Sequence, residues 1–220
     1  MAPSPRELSR QLREETSEDL ARRRWTLGLS FVGVGAGMIV GLYQTGILRR
    51  LPDLPSKYFD ATRVDASTYA YKRMQTPDGL LMVASYAVTA ILAGAGGRDR
   101  ARENPALPIA LAAKTVYDAG VALKLGKEEW DENGALCGYC QAATLASLAS
   151  VALALPEAVK AVDHLLERSR DGELASVDHT LERDPGRRFA PERMIDEDGS
   201  HQPIAPRSRP HQAQPGGRPA

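Results

Sequence analysis

The chain has 220 residues, 28 basic and 28 acidic side chains and 43% hydrophobic residues, averages that would suit an ordinary soluble domain. Its balanced charge, with no basic cluster interleaved with aromatics, excludes a surface built to neutralise nucleic-acid phosphates, and two cysteines exclude a disulfide-stapled secreted framework. The averages conceal a segregation, because the apolar residues lie in four blocks between Thr26 and Ala161 while both ends are rich in Arg, Glu, Asp and Pro, so the class is set by local windows.

Residues 1–24 form a polar N-terminal segment. Leu8, Leu12 and Leu20 recur there at roughly helical spacing among Arg and Glu, which reads either as an amphipathic helix leading to a membrane surface or as a solvated tail. A membrane domain, residues 25–163, follows, with its first span at 26–48. That block is too long for the core of a cleaved signal peptide and reads as a retained anchor. Gly33, Gly37 and Gly41 repeat at four-residue intervals along it, a small-xxx-small stripe that lets a neighbouring helix approach its backbone.

Residues 51–78 make a long polar connection punctuated by Pro52, Pro55 and Pro77, with a short helix predicted at 65–74 behind an Asp or Ser cap. The second span is 79–97, a charged connection follows at 98–104, and the third span is 105–125, its first turn tolerating Pro108. A loop at 126–134 carries Trp130, an interfacial residue type. The fourth span is 135–155, with a kink expected at Pro156. From residue 164 the apolar periodicity stops and Pro, Gly and charged residues dominate, so 164–220 reads as a disordered cytoplasmic tail. The fold class expected is all-α, an integral membrane four-helix bundle in contact with the lipid bilayer.

Orientation follows from the Lys and Arg beside the spans. One side holds the concentrated runs Arg22 to Arg24, Arg98, Arg100 and Arg102, and Lys160, while the other holds Arg49, Arg50 and more scattered cations. Both termini are therefore expected in the cytoplasm of a multi-pass cell-membrane protein. The first loop and both cysteines then share the oxidising side.

Cys137 and Cys140 stand at i and i+3 at the start of the fourth span, on one helical face and close enough for a small disulfide ring. A helix N-terminus stabilises a thiolate and makes it the better nucleophile. Two other readings exist. A zinc site needs two more ligands, and His164, His179, His201 and His211 all follow the last span, so no metal is expected. The cysteines could also be no more than two small apolar residues. Polar side chains available to line a pocket beside the thiols are Tyr139, Gln141 and Thr144, Ser85, Tyr86 and Thr89, and Tyr43 and Gln44. Tyr139, Thr144, Tyr86 and Ser85 are the cofactor-binding candidates. Lys114 and Asp118, at i and i+4 in the third span, are expected to pair on the bundle interior, either as a packing device or in proton delivery.

The Leu136-Cys137-Gly138-Tyr139-Cys140 segment on the fourth span, the long first loop, and the sequence at 42–52, 59–67 and 76–78 together resemble the vitamin K epoxide reductase family. The resemblance covers about 27–162. It implies a four-helix bundle around a quinone of ubiquinone or menaquinone type, with Cys140 facing the quinone and Cys137 exchanging with an incoming partner, for which a thioredoxin-like protein on the oxidising side is the expectation. Tyr139 and first-loop residues would border the quinone. Many relatives carry a second cysteine pair in the loop between spans one and two, but residues 51–78 contain none. The function expected is a membrane thiol–disulfide oxidoreductase passing electrons through the CxxC pair to a bound quinone. The alternative is a non-catalytic membrane scaffold with a structural CxxC.

Overall fold

The computed structural model of the protein describes residues 4–53 and 55–183, with side chains described as far as residue 171. It is all-α: α1 Pro5–Glu14, α2 Glu18–Gln44, α3 Ala61–Asp65, α4 Asp78–Gly94, α5 Arg100–Glu103, α6 Ala106–Asn133 and α7 Gly138–Arg183. Among the described residues the only extended pairing is a single parallel bridge, Phe59 to Leu136. Three helices, α2, α6 and α7, are long and apolar enough to cross a bilayer, and α4 is a shorter apolar helix. At 1.5 Å per residue its 17 residues reach about 26 Å, the lower end of what a hydrocarbon core requires.

Local chemistry moves several expected boundaries. Ser17 caps α2 through its hydroxyl, which accepts from Leu20 N at 3.2 Å, so the Arg-rich stretch before Thr26 belongs to the same helix as the first span. The short helix expected at 65–74 lies upstream, because Asp60 supplies the cap to Arg63 N at 2.9 Å. A 3₁₀ turn, Thr68–Tyr71, follows it. The predicted loop at 126–134 is helical. Lys124–Glu128 and Lys127–Asp131 pair at i,i+4 and carry α6 past Gly126 to Gly134, whose φ of +62° ends it. The helix α7 starts at Gly138 rather than 135 and runs through Pro156. It continues to Arg183, where a disordered tail was expected, and residues 184–220 lie outside the described residues.

The glycine stripe has the predicted use, and its partner is Gly79. A Cβ on Gly79 would stand 2.3 Å from Gly41 N, one on Gly37 2.8 Å from Gly79 O, and one on Gly33 2.5 Å from the Tyr86 ring. The helices α2 and α4 therefore meet at backbone distance. Gly79→Ala is expected to lower stability in detergent by about 1–3 kcal/mol through overpacking. Gly28→Ala, which meets nothing within 4 Å, should leave the melting curve unchanged.

At the other end of α4, Arg23 of α2 donates to the carbonyls of Ala93, Ala95, Gly96 and Gly97, each at 2.9 Å. Arg100 donates to Leu92 O at 2.6 Å and Ala95 O at 2.7 Å, and pairs with Glu157 of α7. The two guanidinium groups thus take the Leu92 and Ala93 carbonyls at the end of α4, which have no partner within the helix, and the Ala95, Gly96 and Gly97 carbonyls of the turn after it. This shortens the second span to end at Gly94.

Candidate redox site

Three non-helical residues, Ala135 to Cys137, follow Gly134 before α7 begins, and the first loop is clamped onto Leu136. Leu136 N donates to Tyr58 O at 2.8 Å and Asp60 N to Leu136 O at 3.1 Å. Further ties hold the loop: Ala61 N to Asp53 Oδ2 at 2.7 Å, Tyr43 OH to Thr62 O at 3.0 Å and Tyr139 OH to Pro52 O at 2.9 Å. Val40, Leu51, Ala61, Val64 and Ala135 pack with Cys137 into one buried cluster, and Cys137 is fully buried.

Cys137 sits just before the first helical residue, and its Sγ accepts from Cys140 N at 3.3 Å. This is an N-cap geometry with sulfur as the acceptor; the contacts with Cys140 favour the thiolate, but burial and the neighbouring Asp65 outweigh them and push the Cys137 thiol up. Both cysteines are free thiols, with Cys140 the more exposed.

Two carboxylates that the sequence did not single out flank the pair. An oxygen of Asp65, the last residue of α3, lies within 4.8 Å of both sulfurs. Asp65 is 2% exposed, and its Oδ2 has no hydrogen-bond partner. Burial pushes its carboxyl up to about 6; the Cys137 thiol beside it works against that rise, and the nearby Asp78 and Asp53 add to it. Glu129 is 1% exposed on α6 and accepts from Gln141 Nε2 at 3.0 Å. Its place in a predicted loop hid it. Carried on as helix, α6 turns Glu129 inward at i+3 from Gly126.

A cavity of about 260 Å³ opens beside Cys140, between α4, α6 and the start of α7. Cys140, Ser85, Tyr86 and Thr144 line it, together with Asp65, Glu129 and the apolar Leu81, Met82, Val121 and Leu125. Cys137 and Tyr139 are not among its lining residues; the Tyr139 hydroxyl is turned to the loop. Tyr86 OH bonds Ser147 Oγ at 2.7 Å and Ala143 O, and Thr144 Oγ1 donates to Cys140 O at 2.9 Å. Of the other candidates, Gln44 accepts from Gly79 N at 2.9 Å. A larger cleft, about 940 Å³, lies among Arg98, Arg102, Lys160 and Arg168. It contains no thiol.

Lys114 and Asp118 pair as expected. Ser85 Oγ bridges them, receiving from Lys114 Nζ at 2.9 Å and donating to Asp118 Oδ1 at 3.1 Å. Their side chains are 20% and 12% exposed. Lys114→Met or Asp118→Leu alone should therefore cost roughly 1–2 kcal/mol, below the loss for a fully dry pair. The double replacement should recover most of that loss in a detergent melt, and additive losses would show that the two do not interact.

The model of the vitamin K epoxide reductase family matches residues 24–155, a stretch that holds the CxxC pair, the clamped loop and the cavity. The chain belongs to this family. No curated protein and no solved structure matches it. Membership makes it a membrane thiol–disulfide oxidoreductase, and its close Cys137–Cys140 pair fits that assignment. The family match stops short of the last part of α7. It includes the first loop, residues 51–78, which contains no cysteine.

Proposed function

We propose that the protein passes electrons from thiols on the oxidising side through Cys137 and Cys140 to a quinone of ubiquinone or menaquinone type. The observation that carries this reading is the division of the pair: Cys140 opens into the cavity, while Cys137 lies beneath the first loop. The cavity suits a planar, lipid-soluble ring, with Leu81, Met82, Val121 and Leu125 for its faces and Tyr86, Thr144 and Gln141 nearby as polar partners. A bound quinone supplies a two-electron, two-proton acceptor.

The chain's own residues do the rest. The Cys140 amide stabilises a thiolate on Cys137, which exchanges with the incoming disulfide or thiol partner, for which a thioredoxin-like protein is the fitting class. A partner thiol opens the Cys137–Cys140 disulfide at Cys137 and releases the Cys140 thiol beside the acceptor; the partner's second thiol then displaces Cys137, so the partner leaves as a disulfide and the pair is left reduced, with two electrons and two protons to pass on. Tyr139, by holding Pro52, keeps the loop closed over Cys137 between exchanges. With no loop cysteine to shuttle electrons, the partner must reach Cys137 after the clamp between Tyr58, Asp60 and Leu136 opens. We place both termini in the cytoplasm and residues 51–78 with the thiols on the opposite side.

The test is thiol trapping in intact membranes combined with extraction of the purified protein. Cys137 and Cys140 should shift between thiol and disulfide as the quinone pool is oxidised or reduced, and a quinone should be recovered with the protein. Thiols that never change state would point to a scaffold with a structural CxxC.

A further inference from the structure

We propose that Asp65 is a catalytic proton acceptor for the dithiol, taking the proton that leaves Cys137 as the Cys137–Cys140 disulfide forms; this rests on the reading of the pair as redox-active. The geometry places a carboxylate oxygen within 4.8 Å of both sulfurs, on a side chain 2% exposed with Oδ2 unpartnered. Every hydrophobic side chain in the cluster around Cys137 is compatible with an apolar lid at this point, so a carboxylate there is costly and unexplained by packing. Among the described residues no cation offsets it. Arg73 is held by Asp78 and Glu128, and Lys114 by Asp118. The groups that face Asp65 are Cys137 and Cys140 at the start of α7, Glu129 on α6, Asp78 on α4, Tyr43 on α2 and Asp53 in the loop.

An unpaired buried carboxylate beside a thiol is matched to proton exchange, because it can alternate between charged and neutral without breaking an ion pair. With its carboxyl at about 6, it is mostly ionised near neutrality and able to accept. In the step itself the two S–H bonds break and one S–S bond forms. The electron pair leaves through Cys140 to the oxidant, and the Cys137 proton passes to Asp65 and then onward with the second proton to the reduced acceptor.

The experiment uses the full chain, reduced, in detergent, with an aromatic disulfide as oxidant and no quinone, and follows formation of the internal disulfide against pH. In the wild type the rate should rise as pH passes through about 6, where the carboxylate becomes charged. Asp65→Asn should lack that rise and be about 10²-fold slower near pH 7.5, the two profiles converging below about pH 5. Asp65→Glu should restore much of the rate. If Asp65→Asn does not fold, Asp65→Ser carries the same expectation. Removing a negative charge beside a thiol would by itself favour the thiolate, so an Asp65→Asn variant as fast as wild type, or faster, overturns the proposal. Because quinone is absent, failure of quinone reduction in a parallel assay would count against the proposed function alone.

Discussion

Cys137→Ser and Cys140→Ser should each abolish thiol-driven quinone reduction, by at least about 10³-fold, because each removes an atom that forms the disulfide. They should fail differently. Without Cys140 nothing in the chain displaces a partner from Cys137, so when the partner is supplied as its disulfide, Cys137 attacks it and the covalent adduct accumulates on a non-reducing gel. Without Cys137 no adduct forms, yet Cys140 remains in the cavity and should still react with a small lipophilic maleimide. Cys137 lies under a loop held by the Tyr58 and Asp60 bonds to Leu136, so adduct formation in Cys140→Ser should follow the rate of loop opening rather than the concentration of a reactive small disulfide. Retention of a tenth of wild-type turnover by either variant would show that electrons do not pass through the pair.

Glu157→Gln should lower stability by about 3 kcal/mol, read as a fall in the detergent melting temperature. Arg100 and Glu157 are 1% and 3% exposed and meet through two bonds, Nε to Oε1 at 2.8 Å and Nη2 to Oε2 at 2.7 Å. A neutral amide leaves the guanidinium charged in a dry setting. This pair differs from Lys114 and Asp118 in what double replacement can recover. Arg100 also takes the carbonyls of Leu92 and Ala95, so Arg100→Met with Glu157→Leu leaves those acceptors unsatisfied and should regain only part of the loss. Full recovery would mean that the carbonyl bonds contribute little.

How much of this was legible in the sequence depends on the range of the interaction. The glycine stripe and the Lys114–Asp118 pair are spaced by helical periodicity and both hold in the fold; the two thiols are close as expected, but Cys137 caps α7 from just before its first residue rather than sharing a helical face with Cys140. Partners distant in sequence were not legible: Gly79 opposite Gly41, Glu157 opposite Arg100, and Leu136 paired with the first loop. The short helix was expected at 65–74 with an Asp or Ser cap, whereas Asp60 is the cap and Asp65 ends the helix against the thiols. Glu129 was missed for a different reason. Gly126 and the charged run after it suggested a loop, whereas i,i+4 pairing between Lys and acidic residues sustains the helix as far as Gly134 and turns Glu129 inward.

The close contact of Gly37, Gly41 and Gly79 also bears on how a lipid-soluble molecule reaches Cys140. Backbones that touch leave no crevice for a ring or an isoprenoid chain, so the α2–α4 seam is shut to lateral diffusion from the bilayer. Among the described residues the seam between α4 and α6 has no such glycine contact; beside the Ser85–Lys114–Asp118 bridge, the cavity there is bordered by Leu81, Met82, Val121 and Ala122, apolar side chains that can swing aside without breaking a polar bond of their own. On the proposed quinone reading, traffic in the plane of the membrane would be routed to one flank of the molecule, away from the loop face where water-soluble thiols would arrive, so the two kinds of reactant would not compete for the same doorway.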